Sequence, residues 1–296
     1  MSERLSYLRV MLTEESEFIP MYSKAPFESD LIDQDKQAMK LEDFEKLIKY
    51  FSDRGLKKIR FVGGNPLLYK GLEELIEYSR KLGIKEIGLT TNGIGLGTKV
   101  LKLQKLGLTN VNISLDSLKE YKYQALTGGG NLKEVFLGID ACMAAKIDTK
   151  INFLVIKDFN DDEVFDFIKL SMDKQIDVRL IELLPYGIDS KVYDRGHIDL
   201  KELIKNTEGI YEIENDKLSI SDYFKVEGAI GRIGIITSSN REYKEDIRRI
   251  NVSNRGYMNI GQLQENEYFI KSILDNDKKM DAIIHEITKD KPIINY

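Results

Sequence analysis

Polar side chains and glycines follow the predicted strands of this chain at the points where the strands end. They are Gly63, Gly64 and Asn65 after the second strand, Thr90 to Gly93 after the third, Ser114, Asp116 and Ser117 at the fourth, Lys157 after the fifth and Glu182 to Gly187 at the sixth. Each cluster alone is typical of an ordinary turn. Because parallel α/β folds bind ligands at the carboxyl ends of their strands, the succession of clusters predicts a pocket on one rim.

The cysteine and histidine content restricts the metal chemistry that the chain can support. The sequence contains 1 cysteine, Cys142, and 2 histidines, His197 and His285. A thiolate-held iron–sulfur cluster needs about three or four cysteines, and a Cys/His zinc site needs about four such ligands. Neither site, nor a disulfide within the chain, can be built from these residues. Cys142 lies in an apolar helical pattern, which predicts a small buried side chain rather than a nucleophile.

Alternating strand and helix patterns over residues 1–187 predict the elements that position the polar clusters. The strand patterns begin with Tyr7–Leu12 and end with Val178–Leu184, and helical patterns such as Leu41–Arg54 and Leu132–Lys146 lie between them. Such alternation predicts a parallel sheet with right-handed crossovers. An open or partial (β/α)6 TIM-like barrel fits best, and a doubly wound sheet is the alternative that the pattern leaves open.

The alternation ends after Gly187, and we expect a domain boundary near residues 187–198. It divides the chain into a barrel, residues 1–190, and a smaller C-terminal α+β region, residues 191–296. In the second region the sequence predicts a short helix at Asp199–Asn206 and a small antiparallel group of strands between residues 210 and 236. Helices near Glu267–Asp275 and Lys279–Ile287 are predicted to follow.

Composition and charge indicate a globular protein without a nucleic-acid or membrane partner. Hydrophobic residues make up 42% of the 296 residues, and the formal net charge is −5. Mild acidity disfavours non-specific binding to nucleic acid but is compatible with a local basic pocket. No apolar run approaches the ~20 residues of a membrane helix, and the N-terminus has no signal-peptide pattern. We therefore expect a cytoplasmic location.

Several stretches together resemble the radical S-adenosylmethionine (SAM) superfamily and, within it, the molybdenum cofactor biosynthesis protein A family of GTP 3′,8-cyclases. The stretches are Tyr7–Val10, Lys58–Pro66, Gly88–Gly93, Val111–Leu118, Leu126–Gly128, Arg179–Pro185 and Ile233–Ser238. The resemblance covers residues 5–275. It implies a partial barrel of the radical SAM type, followed by a region similar to the domain that holds the second cluster of the cyclases.

The chain departs from this family at both iron–sulfur clusters. The positions of the cluster cysteines are occupied by Ser16, Pro20 and Ser23 for the first cluster and by Lys244, Ile247 and Gly261 for the second. Pro20 has no ligating side-chain atom, and two serines without a cysteine make a poor cage for iron. We expect neither cluster to form. Without them the chain has no source of the electron that cleaves SAM reductively.

The SAM-binding residues that the resemblance implies are retained in part. Gly63-Gly64-Asn65 stands where the family has a glycine pair followed by the acid that receives the methionyl amine of SAM. Asn65 can accept a hydrogen bond but loses the charge-assisted part of that contact. Thr90, Ser114 and Lys157 match positions that contact the nucleoside and carboxylate of SAM. We expect SAM binding to be weak or absent.

The phosphate-binding residues that the resemblance implies are arginines. Those that match arginines around the GTP triphosphate of the family are Arg9, Arg60, Arg179 and Arg249. Guanidinium groups that converge on one rim can bind phosphate oxygens through paired hydrogen bonds. The alternative is that Arg9, Arg60 and Arg179 are scaffold residues that pair with Glu182 or other acids.

Together these residues predict a degenerate, cluster-less relative of the cyclases that does no radical chemistry and has no resident cofactor. Its barrel mouth is expected to bind a nucleotide triphosphate, another small anion or a partner protein. One alternative is a non-radical enzyme that reuses the pocket, with Lys157, Glu182 and Asp116 as acid–base groups. Another is an accessory or scaffold protein for a related active enzyme, which would need no ligand.

Overall fold

One continuous sheet of 12 strands runs through the computed structural model of the protein. The structure describes residues 6–17, 37–185, 190–214, 219–237, 249–261 and 267–289. The strands are β1 Tyr7–Thr13, β2 Lys58–Gly63, β3 Glu86–Thr91, β4 Asn110–Ser114, β5 Asp148–Val155, β6 Ile176–Glu182, β7 Ile210–Glu212, β8 Asp222–Val226, β9 Ile233–Ile236, β10 Arg249–Val252, β11 Tyr257–Ile260 and β12 Tyr268–Phe269.

Helices connect most of these strands. They are α1 Leu41–Ser52, α2 Leu72–Lys81, α3 Leu96–Leu106, α4 Glu120–Thr127, α5 Leu132–Ala144, α6 Val164–Lys169, α7 Ser190–Gly196, α8 Leu200–Lys205 and α9 Asp277–Lys289, with short 3₁₀ turns at Pro66–Leu68, Asp161–Glu163 and Lys271–Ile273. In the part of the chain that the structure describes, none of the helices has the length and apolar character needed to cross a membrane.

The strands from β1 to β6 are neighbours in chain order, and each adjacent pair is parallel. A doubly wound sheet would reverse its strand order at a switch point. The order therefore confirms the predicted partial (β/α)6 barrel and excludes the doubly wound alternative. Successive right-handed crossovers place the helices on one face of such a sheet, so the opposite face is the inside of the barrel.

The two faces of the sheet differ in chemistry. In β1 the alternate residues Leu8, Val10 and Leu12 are buried, whereas Tyr7 and Arg9, which alternate with them along the strand, are half-buried. Side chains that alternate along a strand point to opposite faces. The apolar side chains pack with those of the helices into one core, which leaves a polar inner face.

Strands of the C-terminal region extend the sheet at both edges. β10 lies parallel to β1, with Arg249 opposite Tyr7, and β9 lies parallel to β6, with Gly234 opposite Arg179. The remaining strands continue outward in antiparallel pairs. The small antiparallel group predicted between residues 210 and 236 is confirmed as β7, β8 and β9, whereas the parallel pairing of β9 with β6 was not predicted. All residues of β9 are buried, as is usual for a parallel strand covered on both faces.

The helix predicted near Glu267–Asp275 is also wrong. Tyr268 and Phe269 pair with β11, and only the turn Lys271–Ile273 is helical in this stretch. The final helix α9 does form, in agreement with the prediction. Its Asp281 accepts hydrogen bonds from Tyr50 (2.6 Å) and Arg54 (2.9 Å), which fasten α9 to the end of α1.

Cys142 lies in α5 and is completely buried. Burial raises the pKa of its thiol to about 11. A thiol that stays protonated and enclosed is a poor nucleophile, so the prediction of a small buried side chain is confirmed.

Candidate functional site

A group of charged side chains lines the inside of the barrel near the amino-terminal ends of β1, β2 and β10. Arg9 is opposite Arg60 in the register of β1 and β2, and Tyr7 is opposite both Lys58 and Arg249. Adjacent strands are ~4.8 Å apart, so these side chains lie side by side on one face. Arg179 of β6 belongs with them, because its charge acts on Arg60. We call this set the inner cluster: Tyr7, Arg9, Lys58, Arg60, Arg179 and Arg249.

Arg60 is almost fully enclosed, with 6% of its surface exposed. Its Nη1 donates to the Leu89 carbonyl (2.9 Å) and its Nη2 to Oδ1 of Asn110. Gly88 makes room for this arrangement, because a Cβ at that position would lie 2.8 Å from Cζ of Arg60. Burial lowers the pKa of Arg60, and the neighbouring arginines Arg179 and Arg249 lower it further. Among the described residues no carboxylate forms an ion pair with Arg60.

Arg179 and Arg249 contain buried N–H groups without acceptors. Arg249 is 8% exposed, and its Nε and Nη1 have no hydrogen-bond partner within the described parts of the chain, nor has Nε of Arg179. A buried polar group left unsatisfied costs about 1–3 kcal/mol, and more when it is charged. An anion bound between these arginines would supply the missing acceptors.

Tyr7 senses the positive charge of the cluster directly. Its ring centre lies 5.3 Å from the guanidinium carbon of Arg249 and 5.2 Å from Nζ of Lys58. Burial alone would raise the pKa of the Tyr7 hydroxyl, but the charges of Arg60, Arg249, Arg9 and Lys58 outweigh it and lower that pKa to about 7. The inner cluster therefore stabilises negative charge before any ligand is bound.

The arginines were predicted on the rim at the carboxyl ends of the strands, and that placement is wrong for Arg60 and Arg249. Arg60 is the third residue of β2, and Arg249 is the first residue of β10. The arginines lie inside the barrel, below the rim. Tyr7 and Lys58 were missed as members of the cluster, although each precedes an arginine by two positions and must share its face of the strand.

In the described part of the chain Glu182 contacts Leu200 and His197 and not the arginines, which removes the Glu182 part of that alternative. Its Oε1 accepts a hydrogen bond from the backbone N–H of Leu200 (3.0 Å), and its Oε2 lies 3.4 Å from Nε2 of His197. Burial raises the pKa of Glu182. Asp116 is engaged elsewhere, since its Oδ1 accepts from the N–H of Leu154 (2.9 Å). These contacts give the two acids structural roles and provide no support for an acid–base pair.

The glycine pair at the end of β2 allows two backbone segments to approach closely. The N–H of Gly64 donates to the Thr13 carbonyl (2.9 Å), and the N–H of Asn65 donates to the Glu15 carbonyl (2.6 Å). A Cβ at Gly63 would lie 2.3 Å from the Thr13 oxygen, and one at Gly64 2.2 Å from the Glu15 oxygen. Only glycine fits at such distances, so the pair fixes the segment that follows β1.

Asn65 is fully buried and holds an acid at the rim. Its Nδ2 donates to both carboxylate oxygens of Glu17 (2.8 and 3.1 Å), and its Oδ1 accepts from Oγ1 of Thr91 (2.8 Å). Nδ2 of Asn92 also donates to Glu17 (2.9 Å). Residue 65 is an asparagine where the resemblance implies an acid, and the carboxylate of Glu17 lies directly beside it. Sequence reasoning missed Glu17 because no local pattern connects it with Asn65.

The other residues predicted to form a SAM-like pocket are not all on the inner face. Thr90 and Ser114 are half-buried there, opposite Asn112 and Asn152 in the register. Lys157 is exposed beyond the end of β5. The structure thus brings Thr90 and Ser114 to the same surface as the inner cluster and leaves Lys157 at its margin.

The donor atoms in the described part of the chain do not fit an iron–sulfur cluster. The only cysteine of the chain is enclosed in α5, in the core between helices and sheet. Over the described ranges, no group of three or more His, Cys, Asp or Glu side chains could hold a metal ion. Ser16 and Gly261 are described, and the remaining predicted positions lie outside the described residues: Pro20, Ser23, Lys244 and Ile247.

Comparison with known proteins identifies the family. The Radical SAM superfamily profile matches residues 27–171. A GTP 3′,8-cyclase of Clostridium botulinum (strain Langeland) is 34% identical over 295 residues, which cover 99% of this chain and 92% of the relative. The chain belongs to the GTP 3′,8-cyclase family. Another member, from Clostridium perfringens (strain 13), is 36% identical over 258 residues, covering 86% of this chain and 79% of the relative.

Solved structures show the same fold in more distant proteins. SuiB of Streptococcus suis bound to S-adenosylmethionine matches with a TM-score of 0.58 at 12% identity, over 95% of this chain and 66% of that chain. The protein anSMEcpe with bound AdoMet and a Cp18Cys peptide matches with a TM-score of 0.61 at 16% identity, over 95% and 82% of the two chains. This member of the GTP 3′,8-cyclase family therefore has the barrel of the radical SAM superfamily.

Proposed function

We propose that this member of the GTP 3′,8-cyclase family does no radical chemistry and binds a phosphorylated nucleotide inside its barrel. The observation that carries the proposal is the set of buried guanidinium atoms on Arg179 and Arg249 that find no acceptor within the described ranges. A triphosphate has several oxygens whose spacing allows a guanidinium to donate two parallel hydrogen bonds to them. On a protein of net charge −5, the inner cluster forms a local basic funnel that attracts such a ligand.

The donor set of the chain supports the proposed loss of radical chemistry. With a single cysteine, which is enclosed in α5, the chain lacks the thiolates that hold a [4Fe–4S] cluster. At the rim the amide of Asn65 is already engaged with Glu17 and Thr91, so we expect SAM to bind weakly or not at all. Because the similar proteins are GTP 3′,8-cyclases, we expect the nucleotide to be a guanine nucleotide. The protein is then a pseudoenzyme of its family.

Titration with GTP and with inorganic tripolyphosphate tests the binding half of the proposal. The Arg179→Ala variant loses a charge-assisted contact of ~1.5–3 kcal/mol, so its affinity for either ligand should fall roughly ten- to a hundredfold. The dependence of affinity on ionic strength should fall as well. Arg80→Ala is the matched control, because Arg80 is exposed on α2. If the wild-type protein binds neither ligand, the inner cluster is not a phosphate site.

Anaerobic reconstitution with iron and sulfide tests the other half. The wild-type protein and Cys142→Ser should both end with no stoichiometric iron and no cluster absorption, since the one thiol is buried. Several irons per chain with a reducible cluster signal would show that other ligands hold a cluster, and the assignment as a pseudoenzyme would be wrong.

A further inference from the structure

Tyr7 is the one member of the inner cluster whose side chain can become negative. Arg249 and Lys58, which flank its ring at 5.3 and 5.2 Å, lie on the strands on either side of β1. A tyrosine hydroxyl placed between cations in this way can serve as a counter-charge from within the cluster itself.

The charged groups that act on Tyr7 are cations on every strand packed against it. They are Arg9 on β1, Lys58 and Arg60 on β2 and Arg249 on β10. The nearby acid Glu86 of β3 forms its ion pair with Lys58 (3.0 Å). Among the residues that the structure describes, Nε and Nη1 of Arg249 have no acceptor. One phenolate therefore offsets only part of the positive charge.

We propose that the Tyr7 oxygen is the resident anion of the inner cluster and that a phosphate ligand replaces it, with Tyr7 taking up one proton as the ligand binds. A buffer acid transfers its proton to the Tyr7 phenolate, which forms the O–H bond. The phosphate oxygens then replace the phenolate as the negative charge beside the arginines. The exchange rests on the proposed function for the identity of the ligand, whereas the resident anion is a property of the ligand-free protein.

The exchange predicts how strongly pH affects binding. With the pKa of Tyr7 at about 7, the fraction of protein with a neutral Tyr7 is about one tenth at pH 8 and about nine tenths at pH 6. Affinity falls in proportion to the fraction of binding-competent protein. Proton uptake by Tyr7 should therefore weaken phosphate binding about tenfold between pH 6 and pH 8, in addition to effects that arise from the ligand itself.

Spectroscopy of the ligand-free protein tests the resident anion. The tyrosinate absorption of the wild-type protein minus that of Tyr7→Phe should show one ionisation near neutral pH. The exposed residue Tyr211 provides the control, since Tyr211→Phe should leave this ionisation in place. If the difference appears only near pH 10, where ordinary tyrosines ionise, Tyr7 is not the anion of the cluster.

Calorimetry with tripolyphosphate tests the exchange. At pH 8 the Tyr7→Phe variant, which has no phenolate to displace, should bind about tenfold more tightly than the wild-type protein, and at pH 6 the two should agree. Equal or weaker binding by Tyr7→Phe at pH 8 would overturn the exchange and leave the proposed function standing. Failure of the wild-type protein to bind any polyphosphate would instead refute the proposed function and with it the exchange, and the spectroscopic test would still decide the charge of Tyr7.

Discussion

Replacing Gly88 with alanine should displace the Arg60 side chain, although Arg60 itself is not changed. Gly88 stands between Arg60 and Asn110 in the register of β2, β3 and β4. A methyl group there would lie 2.8 Å from Nη2 of Arg60 and 2.6 Å from Oδ1 of Asn110. Side chains do not tolerate such distances, and both neighbours are buried, so the guanidinium has to leave its position.

The magnitude follows from the contacts that Arg60 would lose. Hydrogen bonds from a charged donor to the Leu89 carbonyl and to Asn110 contribute about 1.5–3 kcal/mol each, and they are not additive. Overpacking a core typically costs about 1–3 kcal/mol. We expect Gly88→Ala to lower the free energy of unfolding by about 2–4 kcal/mol, and to weaken tripolyphosphate binding at least tenfold.

Urea unfolding and calorimetry measure the two effects. Gly97→Ala is the matched control, because a Cβ at Gly97, near the start of α3, would meet its nearest neighbour, the backbone of Leu137, at 3.4 Å. That distance is ordinary van der Waals contact, so the control should lose neither stability nor affinity. A Gly88→Ala protein that unfolds at the wild-type urea concentration and binds ligand normally would refute the claim that this glycine holds the space for Arg60.

Two further changes probe acids outside the inner cluster. Asn65→Asp places a second carboxylate against Glu17, where the amide now donates at 2.8 Å, and should destabilise the fold by about 1–3 kcal/mol. In thermal unfolding, the double variant with Glu17→Gln should recover most of this loss. An unchanged unfolding midpoint for Asn65→Asp alone would contradict the contact. Burial raises the folded-state pKa of Glu182, so its contribution to stability is present below the unfolded pKa of ~4.3 and is lost as pH rises through the folded value. Glu182→Gln should therefore be more stable than the wild-type protein at pH 7 and lose that advantage as pH falls to about 4. If the variant is less stable at pH 7, the favourable contacts of the carboxylate with His197 and Leu200 outweigh the unfavourable free energy of burying its charge.

The central strands and their helices were predictable because their signals are local. Short apolar runs such as that in Lys57–Val62 and glycines such as Gly55 and Gly107 mark where strands and helices end. The order of β1 to β6 then follows from the crossover rule. The partner of a strand is not a local property, which is why the parallel pairing of β9 with β6 and the strand β10 were not predicted.

The site was predictable in part for the same reason. Alternation along β2 tells which face Arg60 occupies but not how far below the rim it lies. Tyr7 was predictable as a member of the cluster, because it lies two positions before Arg9 and so on the same face of β1. The contact of Glu17 with Asn65 has no signal in the sequence, because it depends on how the segment after β1 packs against the glycine pair at the end of β2.

The pairing of β10 with β1 makes the inner cluster one of the last parts of the molecule that can form during synthesis. The first strand emerges early, yet its partner carrying Arg249 belongs to the final fifth of the chain. Until then the ribosome-bound chain presents a parallel strand with an open edge, a surface on which other chains can pair. The pairing of β10 with β1 covers that edge and, in the same step, brings Arg249 to Tyr7.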